Sequence, residues 1–351
     1  MENSATALTN VASIGDVDEL EELLSRPTPE AVDALRRVPG DVIILGVGGK
    51  IGPSLARMVR RASEAAGVAR RVIGVARFSS AALERQLNSQ GIETIRCDLL
   101  DRAQLGALPV VPNVFYLAAL KFGATGQEPR AWAMNAYLPG TVCEKFAHSR
   151  IVAYSTGNVY PLVPASHSGS VETDPTGPCG DYAMSCLGRE RIFTHFSQSR
   201  GIPVALVRLN YATEMRYGVL VDLCRQVLAG EPIDLAMGYF NAIWQGDSNA
   251  MTLRALDHVA APPLLVNVAG PERLSVRQVA EEFGRLLGRG VHFVGAEAPD
   301  ALLSDGRLGY QLLGRPPVAA EQLIRGIADW QRRGLPLLDK PTHFQTRDGK
   351  F

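Results

Sequence analysis

The sequence predicts an α/β protein: a doubly wound parallel sheet with a smaller C-terminal lobe and an N-terminal helical extension. Three observations predict it. An apolar run, Val42 to Leu45, leads straight into a glycine turn, Gly46 to Gly52. An amphipathic helical pattern follows from Ser54 to Ala66. Short apolar strands then alternate with helical patterns to about residue 210. A strand that is apolar on both faces belongs in a sheet covered on both sides, and helical crossovers are what join parallel neighbours.

The elements follow in order. Residues 11–40 read as the helical extension. Val17 to Leu24 is amphipathic, Thr28-Pro29 is a cap followed by a first-turn proline, and Pro39-Gly40 closes the unit. This extension is expected to be a packing arm or an oligomer contact. From Asp41 the dinucleotide-type unit begins and is expected to run to residue 210. Its further strands are Arg71 to Ala76, Glu93 to Arg96, Val114 to Ala118, Ile151 to Tyr154 and Val204 to Arg208, with a helix at Ala81 to Gln90. Residues 211–351 alternate less regularly and are assigned mainly to a substrate lobe, although Leu264 to Val268 still reads as a strand. The stretch Lys340 to Phe344 fits no regular pattern.

Composition narrows the function. Among 351 residues, 36 Lys plus Arg balance 36 Asp plus Glu, which argues against a strong electrostatic nucleic-acid footprint. No apolar run approaches the length of a membrane span, and Met1 to Asn10 lacks the pattern of a signal peptide. The five cysteines are odd in number and form no C-x-x-C pair, so reduced thiols, a cytoplasmic location and no metal site are expected.

The glycine turn carries the strongest chemistry. Gly46, Gly49 and Gly52 form GxxGxxG between a buried strand and a helix. Glycine lets the backbone approach a pyrophosphate, and the following helix offers N–H donors and a positive dipole end. Ile51 stands where GxGxxG needs glycine, and also where a Walker A loop needs a hydroxyl, so neither motif fits. A tight turn with no ligand is the plain structural alternative. At the end of the next strand stands Ala76-Arg77, with no acid to repel a phosphate. Arg77 is suited to pair with a 2′-phosphate, which favours NADP over NAD, or is simply a solvated arginine.

These residues resemble the extended short-chain dehydrogenases/reductases, the NAD-dependent epimerase/dehydratase group, over roughly residues 41 to 290. The turn, with Lys50 and Ile51 inside it, is similar to the family's cofactor loop. Cys97-Asp98-Leu99 resembles the segment whose acid binds the adenine amino group. Tyr116-Leu117-Ala118-Ala119 resembles the strand end beside the cofactor, and Lys121 the lysine that reaches it. Asn135 with Gly140-Thr141 is similar to the N-x-x-x-x-G-T helix. Ser155-Thr156-Gly157-Asn158-Val159-Tyr160 resembles the Ser-Ser-x-x-Val-Tyr strand end, and Arg208-Leu209-Asn210-Tyr211 the R-x-x-N-x-Y segment. The resemblance implies a Rossmann-type fold and a bound NAD(P). It makes Thr156, with Ser155 beside it, the hydroxyl that orients the substrate oxygen, and Tyr182 the acid/base.

The sequence departs from that family at one position. The lysine four residues after the tyrosine, which lowers the tyrosine pKa and holds the nicotinamide ribose, is Cys186 here. Positions i and i+4 share a helical face, but a neutral thiol supplies no positive field. Three readings stay open: Lys121 supplies the charge, the reaction needs a less basic tyrosine, or the site is silent. The expected function is therefore an NAD(P)-dependent epimerase, dehydratase or reductase acting on a carbohydrate-like hydroxyl or ketone, in a chain that could be a homodimer. The alternative is a non-catalytic NADP-binding sensor or scaffold. Trp244, Gln245, Asp247 and Asn249 form either a cluster suited to sugar hydroxyls or a domain-packing cluster.

Overall fold

The computed structural model describes residues 10–121 and 126–349. The expectation about the first nine residues lies outside these. Seven parallel strands form the central sheet: β1 (Val42–Leu45), β2 (Val72–Ala76), β3 (Glu93–Arg96), β4 (Asn113–Tyr116), β5 (Arg150–Thr156), β6 (Val204–Leu209) and β7 (Leu264–Val268), in the order β7-β6-β5-β4-β1-β2-β3. Val42 sits in register with Val72 on one side and with Asn113 on the other. The strand order reverses at β1, and the crevice at such a reversal is where ligands of doubly wound folds bind.

The apolar run of β1 has a direct cause. Its side chains alternate between two covered faces. Val42 and Ile44 pack with Phe115 and Val152 on one face, and Ile43 and Leu45 with Val114 and Tyr116 on the other. A third core, including Leu220, Phe240, Phe283 and Trp330, fills the lobe. The sheet draws its edge strand β7 from beyond residue 210, so the chain returns to the sheet after entering the lobe.

The extension forms α1 (Val17–Leu24) and α2 (Pro29–Arg37). Asp16 caps the first by accepting from Glu19 N, and Thr28 the second by accepting from Ala31 N. The two helices pack on α3 (Gly52–Ala65), which follows the glycine turn, and on α5 (Gln245–Ala255) in the lobe segment. In chain order between α3 and α5 comes the long helix α4 (Gly180–Arg200), which packs on the helical segment of residues 128–145. The extension is thus a packing arm of this chain. Arg61 donates to the Glu22 carboxylate at 2.5 Å, and buried Arg70 donates to the carbonyls of Leu35 and Val38 at 2.5 and 2.9 Å.

Trp244, Gln245, Asp247 and Asn249 are all buried. Gln245 and Asn249 each donate to Ser54 Oγ at 3.0 Å, Asn249 also donates to Leu24 O at 3.1 Å, and Asp247 accepts from Val318 N. The cluster joins α5 to α3 and the arm. Of the four, only Gln245 lines the cavity described next.

Candidate active site

At the reversal point Gly46 adopts φ +92°, and a Cβ there would stand 2.7 Å from Ala118 N. Ala118 therefore backs the turn rather than facing the cavity. At Gly52 a Cβ would meet Val47 O at 2.2 Å, which fixes glycine there for helix–strand packing. A Cβ on Gly49 would meet only Gly46 O, at 3.6 Å, so this part of the turn leaves room for a close-lying group. α3 starts without a side-chain cap. Its first-turn N–H groups are thus free of a side-chain cap, and its first residue, Gly52, lines the crevice, a disposition suited to phosphate. These features fit a dinucleotide.

A cavity of about 290 Å³ opens from this turn. Gly46, Gly49, Lys50, Ile51 and Gly52 form one wall, and Leu117, Ala119 and Lys121 come from the end of β4. Ser155 and Thr156 enter from the end of β5, and Tyr182 from the first turn of α4. The sheet sets the strand ends side by side, and α4 carries the tyrosine across them. Tyr182 packs against Cys186 and shares the cavity wall with Thr156. Burial raises its pKa well above the ordinary value; the Cys186 thiol adds to this, while Arg189 and Thr156 oppose it. The phenol is therefore protonated near neutrality.

One turn beyond Cys186, Arg189 supplies a buried cation that also lines the cavity. Its Nη1 donates to Tyr154 O at 2.8 Å and its Nη2 to Asn135 Oδ1 at 3.0 Å. Asn135, in a π-helical turn over Ala133–Tyr137, also exchanges bonds with the Leu120 backbone and donates to Ser185 Oγ at 3.0 Å. Ser155 Oγ donates to Glu190 Oε1 at 2.5 Å, and Glu190 is paired with Arg208 at 2.7 Å, both 3% exposed. The strand end that presents Thr156 is thereby fixed from below.

Lysines dominate the remaining charge. Lys50 lies over the Tyr217 ring, 2.8 Å from its centroid, and Lys121 lies 5.6 Å from the centroid of Tyr182. Burial pushes the Lys50 ammonium down to about 6, aided by Lys121 and Lys340 and opposed by Asp222 and Glu214. Burial likewise lowers Lys121 to about 8.

The structure thus gathers Gly46, Gly49, Lys50, Ile51, Gly52, Leu117, Ala119, Lys121, Ser155, Thr156 and Tyr182 around one cavity. It does not bring the other expected residues to it. Arg77 is exposed after β2, and Asp98 and Leu99 follow β3, on the far side of the turn. Asp98 Oδ1 accepts from Leu100 N, and Leu99 is buried in the core. Asn135 is a stitch behind the wall, and Cys186 reaches the site only through Tyr182. Sequence reading missed Arg189, Tyr217, Lys340 and Thr342, all of which line the cavity. For Arg189 a signal existed: it lies seven residues, two helical turns, after Tyr182. The others come from the lobe and the tail, where no local pattern points to them.

Comparison with known proteins agrees with this geometry. Residues 42–238 match the NAD dependent epimerase/dehydratase family. No curated protein sequence matches significantly. Among solved structures, the chain is similar to dTDP-glucose 4,6-dehydratase from Bacillus anthracis in complex with NAD, at 15% identity and TM-score 0.69, covering 84% of this chain and 96% of that one. It is similar to UDP-glucuronic acid 4-epimerase from Bacillus cereus with UDP-glucuronic acid and NAD, at 18% identity and TM-score 0.68, covering 84% and 99%. It also resembles dTDP-glucose 4,6-dehydratase from Streptomyces venezuelae with NAD, at 18% identity and TM-score 0.71, covering 84% and 97%. Among the described residues no helix is long and apolar enough to cross a membrane. With the family match spanning more than half of its length, and a doubly wound sheet placing a glycine turn, a threonine and a tyrosine around one cavity, the chain belongs to the NAD dependent epimerase/dehydratase family.

Proposed function

We propose that the protein is a nicotinamide-dependent oxidoreductase, epimerase or dehydratase acting on a hydroxyl or ketone of a small carbohydrate-like molecule, with Tyr182 as the acid/base. The observation that carries this reading is the meeting of Thr156, from the end of β5, and Tyr182, from the first turn of α4, on the cavity that opens from the glycine turn. The cofactor, when bound, supplies the hydride donor or acceptor. Gly46 to Gly52 and the N-terminus of α3 would hold its pyrophosphate, with Lys121 beside it. Thr156 orients the substrate oxygen. Tyr182 Oη, protonated at neutral pH, gives its proton to a carbonyl oxygen that is being reduced. In the reverse direction the phenol must first lose its proton. Arg189 favours that loss as the buried cation on the same helix, standing in for the lysine that Cys186 replaces.

The cofactor's identity has support on both sides. Arg77, exposed at the end of β2, suits a 2′-phosphate, whereas the similar solved structures hold NAD. A second reading is a dinucleotide-binding sensor, favoured by Cys186 and by the high pKa of Tyr182. Calorimetry with NAD and NADP on wild type and Arg77→Ala tests the cofactor. Turnover assays on sugars, sugar acids and sugar nucleotides, followed by absorbance of the reduced nicotinamide and by product analysis, test the reaction. Binding without any conversion would favour the sensor, and no binding of either dinucleotide would overturn both readings.

A further inference from the structure

The C-terminal segment, which fits no regular pattern in sequence, forms a wall of the site. Leu338 N donates to Arg216 O at 3.1 Å. Thr342 donates to Asp222 Oδ2 through its N at 2.7 Å and its Oγ1 at 2.6 Å. Phe344 is buried in the lobe core, its ring centroid 6.0 Å from that of Phe240. Arg347 Nη1 donates to Ala236 O at 3.0 Å and to Asp300 O at 3.1 Å, and the guanidinium is paired with the Asp300 carboxylate. At Gly349 the chain crosses the start of α4. Gly180 and Gly349 have φ of +79° and +74°, and a Cβ on Gly349 would meet Cys179 O at 2.2 Å. The tail thus runs from the lobe to the first turn of the helix that carries Tyr182. The segment lies outside the residues matched by the family.

This path bounds the room for a substrate. Lys340 and Thr342 line the main cavity of about 290 Å³. A recess of about 50 Å³ adjoins it, sharing Asn158 and Tyr211. The recess is lined by Tyr160, Met237 and Leu302 together with Thr346, Arg347 and Gly349 of the tail. Pockets that hold one drug-sized ligand run to about 300–1,000 Å³. Here a cavity at the low end of that range takes the substrate and, on the reading above, the nicotinamide end of the dinucleotide, which also claims the glycine turn. What is left beside Thr156 and Tyr182, with the recess beyond, suits one sugar ring or an open-chain polyol. A longer ligand reaching past the recess meets tail backbone that is braced at both ends.

We propose that residues 338–349 are a specificity wall: they hold the substrate compartment to the size of one free sugar-like unit and exclude sugars linked to a nucleoside diphosphate. The proposal rests on the functional reading above and narrows its substrate class to free sugars, sugar acids and polyols. Its physical basis is the anchoring of the tail at Asp222 and Phe240 in the lobe and at Gly180 on α4, so that admitting a larger ligand means breaking those contacts.

The test uses full-length protein saturated with the dinucleotide it binds. Calorimetry with UDP-glucose and UDP-glucuronic acid should show no binding of either at about 1 mM. The wall itself is read from the fluorescence of the bound reduced dinucleotide, quenched by acrylamide. Phe344→Ala empties the anchor in the lobe, and Gly349→Ala presses the tail off α4. Each should raise the quenching constant about threefold or more over wild type, while dinucleotide affinity stays within about tenfold. The two variants act at separate anchors, so one that fails to fold leaves the other to decide. The proposal is overturned if either UDP-sugar binds the wild type at that concentration or is converted by it. It is also overturned if the folded variants quench like wild type, because the tail then shields nothing. Absence of dinucleotide binding by the wild type strikes the functional reading, and the proposal falls with it.

Discussion

Replacing Glu190 with glutamine should cost more stability than any other isosteric change near the site. The carboxylate is 3% exposed and takes bonds from Arg208 Nε at 2.9 Å, Arg208 Nη2 at 2.7 Å and Ser155 Oγ at 2.5 Å. Arg208 is equally buried, and its Nη1 has no partner. In Glu190→Gln the guanidinium keeps its charge and loses its counter-ion. With charge centres about 4 Å apart and an effective dielectric of about 20, the lost attraction is about 4 kcal/mol. That agrees with the roughly 3–5 kcal/mol measured when one partner of a buried pair is removed. At about 2 °C per kcal/mol for a chain of this size, Tm should fall by about 6–10 °C. The assay is guanidinium and thermal unfolding of wild type, Glu190→Gln, Arg208→Met and the double variant. The double variant should recover most of the loss, because no uncompensated charge is left buried. A loss under about 1 kcal/mol in Glu190→Gln, or a double variant less stable than either single, would refute the reasoning.

Three further outcomes are expected. Tyr182→Phe should lower turnover by about 10²–10⁴-fold while dinucleotide affinity, read by calorimetry, stays within about twofold. Gly46→Ala should cost more than about 2 kcal/mol and abolish dinucleotide binding, because its Cβ would press on Ala118 N at 2.7 Å from a backbone at φ +92°; an unchanged Tm would count against the packing described. Asp247, buried and pushed up to about 7 from an ordinary 3.8, keeps its proton in the folded chain after the unfolded chain has lost its own. Stability should therefore fall as pH rises from about 4 to about 7, with a penalty on the order of 4 kcal/mol at most above that range. Asp247→Asn should gain on wild type across that window in urea unfolding, and a pH-independent difference would contradict it.

Much of the sheet was legible because its cause is local. Val42 to Leu45 is apolar since both faces are covered, and Glu93 to Arg96 and Leu264 to Val268 begin and end as the pattern predicts. Thr28-Pro29 announced its helix by cap chemistry, and the capping oxygen does bond Ala31 N. The glycine turn was readable because close backbone approach demands glycine. What stayed hidden depends on distant partners. Nothing around Lys340 says that Asp222 and Phe240 will hold the tail over the cavity. The Trp244–Asn249 cluster is polar in sequence because it must satisfy Ser54, Leu24 and Val318, far away in the chain. The π-helical turn at Asn135 likewise follows from bonds to Leu120 and Arg189 rather than from local propensity.

The N-terminal arm has a practical consequence for anyone trimming this protein. Its backbone satisfies donors that belong to the rest of the molecule: Arg70 through the Leu35 and Val38 carbonyls, Asn249 through Leu24 O, and Arg333 through Ile14 O at 2.8 Å. A chain started at Asp41, just before the first sheet strand, would leave a buried guanidinium and a buried amide short of acceptors and uncover α3 and α5. Each lost acceptor costs about 1–3 kcal/mol, enough in sum to consume the margin by which a folded chain exceeds its unfolded state. Any shortened form therefore has to retain the arm, and a fusion or immobilisation point at its junction with the sheet would disturb these bonds.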